Sequence, residues 1–330
     1  MAMVLSMEKF PRNSAFWSNF RLLSVIAVAT WWTISVQNTL RTLREEIRQM
    51  RPIVYQKHGF AKEFIFAYQN SKIADKELRK LYTFSKSEAL MLSSYSQDDD
   101  RVIDHIRNNL LIPPPETPTK QPDYDTSRGL ANKVHNTLLS MNLTKGFYIE
   151  SGALDGYFMS NTLYLETWFK WTGLLIEPDP PHFTLLKKRG RNAWLLPTCL
   201  SLENRTTLVR FLSQSTNPKV NSSSGNIELN CMPLYSVIKA LPSSISSIGL
   251  VSLDIGGDEM EVLSTVALDK LDIKMFAVKF KNIKGGKNEL LTMMSRKGYT
   301  EVFLTSEENR QTNNWKEEIV LLKKTDKKTT

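Results

Sequence analysis

Two short stretches of the sequence place acidic residues and glycines where a nucleoside could bind. The first is ESGALDG, in which Glu150 follows the apolar run FYI and precedes Gly152 and Gly156. Glycine lets the backbone approach a ligand closely, and amide groups at a strand-to-helix turn attract negative or polar groups. The second is Glu177 after the run TGLLI, where an acid can accept hydrogen bonds from ribose hydroxyls. Together they indicate a ligand that contains ribose.

The same stretches disfavour the commonest nucleotide sites. The spacing of Glu150, Gly152 and Gly156 departs from the GxGxxG fingerprint of dinucleotide binding. The sequence also has no phosphate-binding loop that ends in Lys followed by Ser or Thr. Neither NAD nor ATP is therefore favoured, and a ligand with a ribose but no phosphate fits these residues better.

From Leu130 onward, helical and strand-like patterns alternate along the chain. Apolar runs such as FYIE, TGLLIE and LVSLDI are separated by amphipathic stretches such as LANKVHNTLLSMN and KNELLTMMSRKG. This alternation predicts an α/β fold, a mostly parallel sheet flanked by helices, because parallel strands need long crossover connections. The near-continuous hydrophobicity of the runs indicates strands that are buried on both faces.

Several blocks of this region resemble, in order, the FkbM-type methyltransferase domain. The blocks are YIESGALDG, SNTLYLE, WTGLLIEPDP, NAWLLPTCLS and LVSLDIGGDEMEVL, and the resemblance covers residues 98–324. It implies a Rossmann-like class I methyltransferase fold with S-adenosylmethionine as the cofactor.

The resemblance also implies roles for individual residues. The methionine end of the cofactor would lie against Glu150, Gly152, Asp155 and Gly156, and its ribose against Glu177 and Asp179. Asp254 and Glu259, near the end of the fourth strand, would be catalytic and orient the methyl acceptor. Structural alternatives stay open: Asp155 and Asp254 suit helix caps, and Glu177 suits an ion pair with a surface lysine.

Two positions depart from the family pattern. The family usually has an acid after Asp-Ile, as in LDIEG, where this chain has Gly256, and a Glu at the end of the next strand, where it has Lys279. Opposite charge holds a sulfonium in a partly dry pocket, so these replacements predict that cofactor binding is weakened or lost. The leading hypothesis is a domain without turnover. The alternative is an active S-adenosylmethionine-dependent methyltransferase that acts on a glycan, a lipid or a protein.

An apolar segment near the start predicts a transmembrane helix over residues 20–36. It reads FRLLSVIAVATWWTISV, has no charge after Arg21, and ends near Trp31 and Trp32, which suit a membrane interface. A cleaved signal peptide would need cleavage inside the apolar run, and a buried soluble helix would need apolar partners on all faces. An uncleaved anchor is favoured over both. The flanking charges are nearly balanced and do not predict its orientation.

The rest of the chain divides into four regions. They are an N-terminal tail at 1–19, a helical stem at 37–97, a linker at 98–127 and the methyltransferase-like domain at 128–325. The stem carries a short apolar seam from Leu40 to Val54, which predicts at most weak self-association.

The net charge of +9, from 43 Lys and Arg against 34 Asp and Glu, does not indicate nucleic-acid binding. The basic residues are scattered, and no DNA- or RNA-binding motif accompanies the excess at Lys323, Lys324, Lys327 and Lys328. The 2 cysteines exclude a multi-cysteine metal site. We expect a membrane partner, and neither nucleic acid nor a bound metal.

Within the family, DDDRVIDHIRNNLLIPPP, CMPLYSVIKAL and the N-terminal span are most similar to the Star-like group of membrane proteins. That resemblance implies a single-pass type II protein of the endoplasmic reticulum and Golgi, extending to endosomes and the plasma membrane. Its C-terminal domain would be lumenal and would support transport of an EGF-like ligand precursor. In an oxidising lumen, Cys199 and Cys231 are candidates for a disulfide bond. Asn142, Asn204 and Asn221 begin sequons and are candidates for glycosylation.

Overall fold

The fold was determined from a computed structural model of the chain. The structure describes residues 86–121, 125–127, 129–211, 227–307 and 316–324. The predicted tail, the predicted transmembrane helix and most of the predicted stem lie outside these ranges, as does Asn221. Within the described ranges, no helix is long and apolar enough to cross a membrane.

Helices and strands alternate through most of the described chain. The helices are α1 (Lys86–Ser93), α2 (Asp100–His105), α3 (Leu130–Leu139), α4 (Leu163–Phe169), α5 (Pro180–Arg189), α6 (Leu234–Ala240), α7 (Glu259–Thr265) and α8 (Gly286–Arg296). A π-helical turn, Ile106–Leu110, extends α2, and a 3-10 turn spans Leu268–Lys270. The strands are β1 (Phe147–Ser151), β2 (Thr172–Ile176), β3 (Ala193–Leu196), β4 (Cys199–Leu200), β5 (Thr207–Phe211), β6 (Ile227–Met232), β7 (Ile248–Leu253), β8 (Ile273–Lys279), β9 (Tyr299–Glu307) and β10 (Lys316–Lys323).

A seven-stranded sheet lies at the centre of the domain, in the order β3-β2-β1-β7-β8-β10-β9. Its first five strands run parallel, and β10 is antiparallel to both of its neighbours. Strands β1 and β7 are buried along their whole length, and alternate residues such as Tyr148 and Ile149 belong to two different core clusters. One cluster packs against α2, α6, α7 and α8, and the other against α3, α4 and α5. The predicted α/β fold with a mostly parallel sheet is confirmed.

A smaller sheet of three strands has the order β4-β6-β5. Cys199 on β4 lies opposite Cys231 on β6 in the strand register, and a disulfide bond joins them. Both cysteines are buried in a small core cluster with Val209, Phe211 and Leu229. The disulfide therefore links two strands of this sheet inside its own core.

The segment predicted as a linker, 98–127, begins with α2 and its π-helical extension. Val102 and Ile106, on α2 and its extension, are fully buried in the main core. Ile112 then exchanges two backbone hydrogen bonds with Leu195 and so covers the edge of β3. An uncovered strand edge exposes unpaired backbone groups, so the pairing with Ile112 satisfies groups of β3 that would otherwise be unpaired.

Candidate functional site

The predicted site residues come together at one edge of the central sheet. Glu150 lies near the carboxyl end of β1, Glu177 directly follows β2, and Asp254 directly follows β7. Strand β1 pairs in parallel with both β2 and β7, so the carboxyl ends of all three strands lie side by side. This is the edge at which open α/β sheets bind their ligands. We call it the carboxyl edge.

The two glycines of ESGALDG are required by packing within the chain. Gly152 has φ +83°, and a Cβ atom there would lie 2.0 Å from the carbonyl oxygen of Asp254. Gly156 has φ +74°, and a Cβ atom there would lie 2.5 Å from Cδ1 of Leu186 on α5. Glycine alone adopts such backbone angles without strain. The space that each glycine leaves free is therefore filled by another part of the protein.

Glu150 is buried and hydrogen-bonded to the loop that follows β1. Its carboxylate accepts hydrogen bonds from Ser160 Oγ at 2.7 Å, from the Asn161 backbone N–H at 2.8 Å and from Thr162 Oγ1. The guanidinium of Arg191 lies 3.8 Å from the same carboxylate. Glu150 is only 5% exposed, so its hydrogen-bonding capacity is directed into the protein.

Glu177, predicted to bind ribose, accepts hydrogen bonds from two backbone amides. The donors are the N–H of Leu154, at 2.7 Å, and the N–H of Asp179, at 2.9 Å. Burial raises the pKa of Glu177 to about 7, although the charge of His182 opposes this rise. Glu177 thereby ties the glycine loop to the end of β2.

Asp179 and His182 form a buried pair at the start of α5. Nδ1 of His182 lies 3.0 Å from a carboxylate oxygen of Asp179. Burial acts to lower the pKa of His182, but the hydrogen bond to Asp179 and the charge of Glu177 raise it overall. Asp179 is 2% exposed, and its carboxylate contacts His182 on α5 inside the protein.

Asp155 caps the turn that begins at this residue. Its carboxylate accepts hydrogen bonds from the backbone N–H groups of Tyr157 and Phe158, at 3.0 and 2.7 Å. Its other oxygen lies 2.6 Å from the guanidinium of Arg189. Asp155 therefore holds a turn, and the following helix, which the structural alternative had it cap, begins only at Leu163.

The carboxyl edge presents Asp254 and Lys279 to solvent. Nζ of Lys279 lies 2.8 and 3.0 Å from the two carboxylate oxygens of Asp254. Their side chains are 25% and 32% exposed, respectively. Close by, Gly256 has φ +88°, which suits glycine and would strain a larger residue. The positively charged Lys279 thus lies at the end of β8 and is paired with Asp254, which was predicted to be catalytic.

Glu259, the second predicted catalytic residue, is buried at the start of α7. Its Oε1 accepts hydrogen bonds from the N–H groups of Ile255 and Gly257, at 2.8 and 3.3 Å. Among the described residues, its buried Oε2 has no hydrogen-bond partner. Burial raises the pKa of Glu259 to about 7 against the effect of these hydrogen bonds. With 1% exposure, Glu259 holds the turn after Asp254 and does not face solvent.

Sequence reasoning missed Arg191 and its partner Glu166. Arg191 lies in the polar stretch KKRGRN, which carries no sign of burial, yet its side chain is 0% exposed. Glu166, its closest acid, is also buried, at an Nε to Oε2 distance of 2.9 Å. In the part of the chain that the structure describes, no cluster of side chains is suited to hold a metal ion.

Neither a protein-family model nor a curated protein matches the sequence. Several solved methyltransferase structures are similar to this chain. TrmK of M. capricolum, in complex with S-adenosylhomocysteine, has a TM-score of 0.36 and 12% identity over 59% of this chain and 68% of that chain. A 1,6-didemethyltoxoflavin-N1-methyltransferase of Burkholderia thailandensis, also with S-adenosylhomocysteine, has a TM-score of 0.34 and 12% identity over 62% and 80%. Magnesium protoporphyrin IX methyltransferase of Synechocystis PCC 6803, with the same ligand, has a TM-score of 0.36 and 8% identity over 60% and 83%.

With identities and TM-scores this low, the strand order carries the fold assignment. The α/β architecture with its mostly parallel central sheet matches the class I methyltransferase fold. S-adenosylmethionine is the cofactor that the sequence resemblance implies for this edge. The side chains present do not fit it well, because Glu150, Asp155 and Glu177 are at most 5% exposed and the partly exposed Lys279 has the same sign as a sulfonium.

Proposed function

We propose that this chain is a membrane-anchored protein whose methyltransferase-like domain binds a protein partner without transferring a methyl group. The Lys279–Asp254 ion pair at the carboxyl edge carries the proposal. A cationic cofactor placed there would meet the like charge of Lys279, while the carboxylate of Asp254 is already paired. Because Asp254 is paired with Lys279, the two residues together present no net negative charge that would attract a sulfonium.

The finer proposal is a Star-like role in the secretory pathway. The domain would face the lumen of the endoplasmic reticulum and Golgi, in a type II orientation, and support the transport of an EGF-like precursor towards endosomes and the cell surface. The sequence resemblance supports this role. The Cys199–Cys231 disulfide bond also supports it, because such bonds persist in oxidising compartments. The stem would add at most weak self-association.

Equilibrium binding tests the proposed lack of turnover. Calorimetry of S-adenosylmethionine with the purified full-length chain in detergent micelles should show no saturable binding in the micromolar range. A methyltransferase titrated under the same conditions serves as the positive control. Micromolar affinity for S-adenosylmethionine, or transfer of a labelled methyl group to membrane extracts, would count against the proposal.

Glycosylation tests the proposed topology. Asn142 and Asn204 are both exposed, so glycans on them meet no packed core. Glycosidase treatment of the protein from cells should increase its gel mobility, and Asn142→Gln and Asn204→Gln should each reduce that shift by one glycan. An unchanged mobility after glycosidase treatment would count against the lumenal orientation and leave a cytosolic domain as the alternative.

Transport of a cargo tests the proposed partner. Surface delivery of a membrane-anchored EGF-like precursor should rise when the chain is co-expressed, and the two proteins should co-purify from detergent extracts. A membrane-anchored cargo without an EGF-like domain is the control and should not respond. Equal delivery of the EGF-like precursor with and without the chain would remove this role.

The second candidate function is an active S-adenosylmethionine-dependent methyltransferase. It is favoured by the position of Asp254, which is half-buried directly after β7 at the carboxyl edge. Its acceptor would be a glycan, a lipid or a protein. If this candidate holds, Asp254→Asn abolishes methyl transfer from labelled S-adenosylmethionine, whereas substitution of the exposed Lys281 by Gln leaves transfer unchanged.

A further inference from the structure

A single buried guanidinium contacts three residues of the loop between β1 and α4. Nη1 of Arg191 donates hydrogen bonds to the Gly156 carbonyl and to Ser160 Oγ, each at 3.0 Å. Nη2 donates to the Tyr148 hydroxyl at 2.9 Å and to Thr162 Oγ1 at 3.1 Å. Arginine suits this position because its planar group carries five donors in a fixed geometry. One side chain therefore joins strand β1, the middle of the loop and the end of the loop next to α4.

The same guanidinium lies between two buried acids. Its Nε donates to Glu166 at 2.9 Å, and its Nη1 lies 3.8 Å from Glu150. Burial acts to lower the pKa of Arg191, but Glu166, Tyr148 and Glu150 outweigh this effect, so the pKa lies above its ordinary value. A buried charge is tolerated when it is paired and hydrogen-bonded, and Arg191 meets both conditions.

The surroundings of Glu150 distinguish this loop from one that waits for a ligand. The acid at the end of β1 is a candidate to receive a cationic group from a bound molecule. Here Ser160, Asn161 and Thr162 already donate hydrogen bonds to it, and Arg191 supplies a positive charge beside it. The guanidinium of Arg191 thus lies beside Glu150, at the place where a cationic group of a ligand would otherwise lie.

We propose that Arg191 is the positioning residue of the candidate site, and that its guanidinium, rather than a bound ligand, holds the loop 152–162 in its folded conformation. This inference stands apart from the proposed function, because it concerns the order of the loop and not methyl transfer or partner binding.

Amide hydrogen exchange on the full-length chain tests the proposal. In the wild type, amides of the loop 152–162 should be protected without any ligand, and added S-adenosylmethionine should not protect them further. Arg191→Lys keeps the charge but loses the planar fork, so exchange in the loop should accelerate at least about tenfold. Exchange in β7 and β8 should stay at the wild-type rate. The control is Arg205→Ala, since Arg205 is 56% exposed and pairs only locally with Glu203.

Chemical rescue separates the role of the guanidinium from simple filling of space. In Arg191→Ala, added methylguanidinium should restore protection of the loop, whereas methylammonium, which has the charge without the fork, should not. If Arg191→Ala does not fold, the comparison of Arg191→Lys with the wild type decides. Unchanged loop exchange in Arg191→Lys, an equal rise in β7 and β8, or wild-type protection that requires S-adenosylmethionine would each overturn the proposal.

Discussion

Nζ of Lys279 lies 2.8 and 3.0 Å from the two carboxylate oxygens of Asp254, at the edge where an α/β sheet binds its ligand. Both side chains are partly exposed, so solvent screens the pair and it contributes at most about 1 kcal/mol to stability. Under the proposed function, Lys279 affects a ligand more than it affects the fold, because a cation bound at this edge would lie near its charge.

Removal of the Lys279 charge should therefore change ligand affinity more than stability. We expect Lys279→Gln to bind S-adenosylmethionine at least about tenfold more tightly than the wild type, a difference of about 1.4 kcal/mol. The free energy of unfolding should change by less than about 1 kcal/mol. Substitution of the exposed neighbour Lys281 by Gln is the matched control. Equal affinities in both variants would show that the charge at the end of β8 does not govern binding.

The close approach of Gly152 to β7 predicts a severe effect of a single methyl group. Gly152→Ala would place Cβ 2.0 Å from the Asp254 carbonyl oxygen, at a positive φ. We expect a loss of about 3 kcal/mol or more in the free energy of unfolding, because neither backbone can yield without breaking the parallel pairing. Gly298→Ala is the control, since Gly298 has φ +87° but no atom within 4 Å of its Cβ position. It should cost only about 1–2 kcal/mol.

The buried carboxyl groups of Glu177 and Glu259 should make stability depend on pH. Burial raises the pKa of both to about 7 in the folded protein from an ordinary value of 4.5, so the folded state binds these protons more tightly. The stabilisation is complete below the unfolded-state value and is lost as pH rises through about 7. The raised pKa of His182 acts in the same direction. The urea concentration at the unfolding midpoint should decrease as the pH rises from about 5 to about 8. An increase over this interval would contradict the assignment.

Glu259→Gln should remove one part of that pH dependence. The amide oxygen of Gln can accept the hydrogen bonds of Ile255 and Gly257, and the variant carries no charge at any pH. Near pH 5 its stability should lie within about 1 kcal/mol of the wild type. Above about pH 8 it should be more stable than the wild type, by a value on the order of 3 kcal/mol. Parallel pH profiles for the two proteins would show that Glu259 does not titrate in this range.

Loss of the disulfide bond should destabilise the smaller sheet. Cys199 and Cys231 are 32 residues apart in sequence, and the entropy of closing such a loop corresponds to about 3–4 kcal/mol. We expect the double variant Cys199→Ala and Cys231→Ala to lose about this free energy of unfolding. Thiol titration of the denatured wild type without reductant should find no free thiol from this pair. Two free thiols in protein taken from an oxidising compartment would contradict the pairing.

The α/β fold and the carboxyl edge could be predicted from local sequence patterns. Apolar runs predict buried parallel strands because each strand must cover both of its faces, and helical crossovers follow from the parallel direction. That geometry alone places Glu150, Glu177 and Asp254 at one edge, as the structure has them. The segment 98–127 was harder to predict, because its packing depends on the edge of β3, which is distant in sequence.

Only the tertiary structure decided what the acids of ESGALDG and of the strand ends contact. Glu150 lies near Arg191 of the β3 side, Asp155 pairs with Arg189, and Asp254 pairs with Lys279. Each partner lies at least 25 residues from its acid in the sequence, and no local pattern records which carboxylate will be desolvated or paired. Residue types and spacing therefore determined that a strand-end turn with acids and glycines exists. The packing of distant segments determined that most of its groups face inward, because burial and pairing of charges depend on neighbours that only the folded chain brings together.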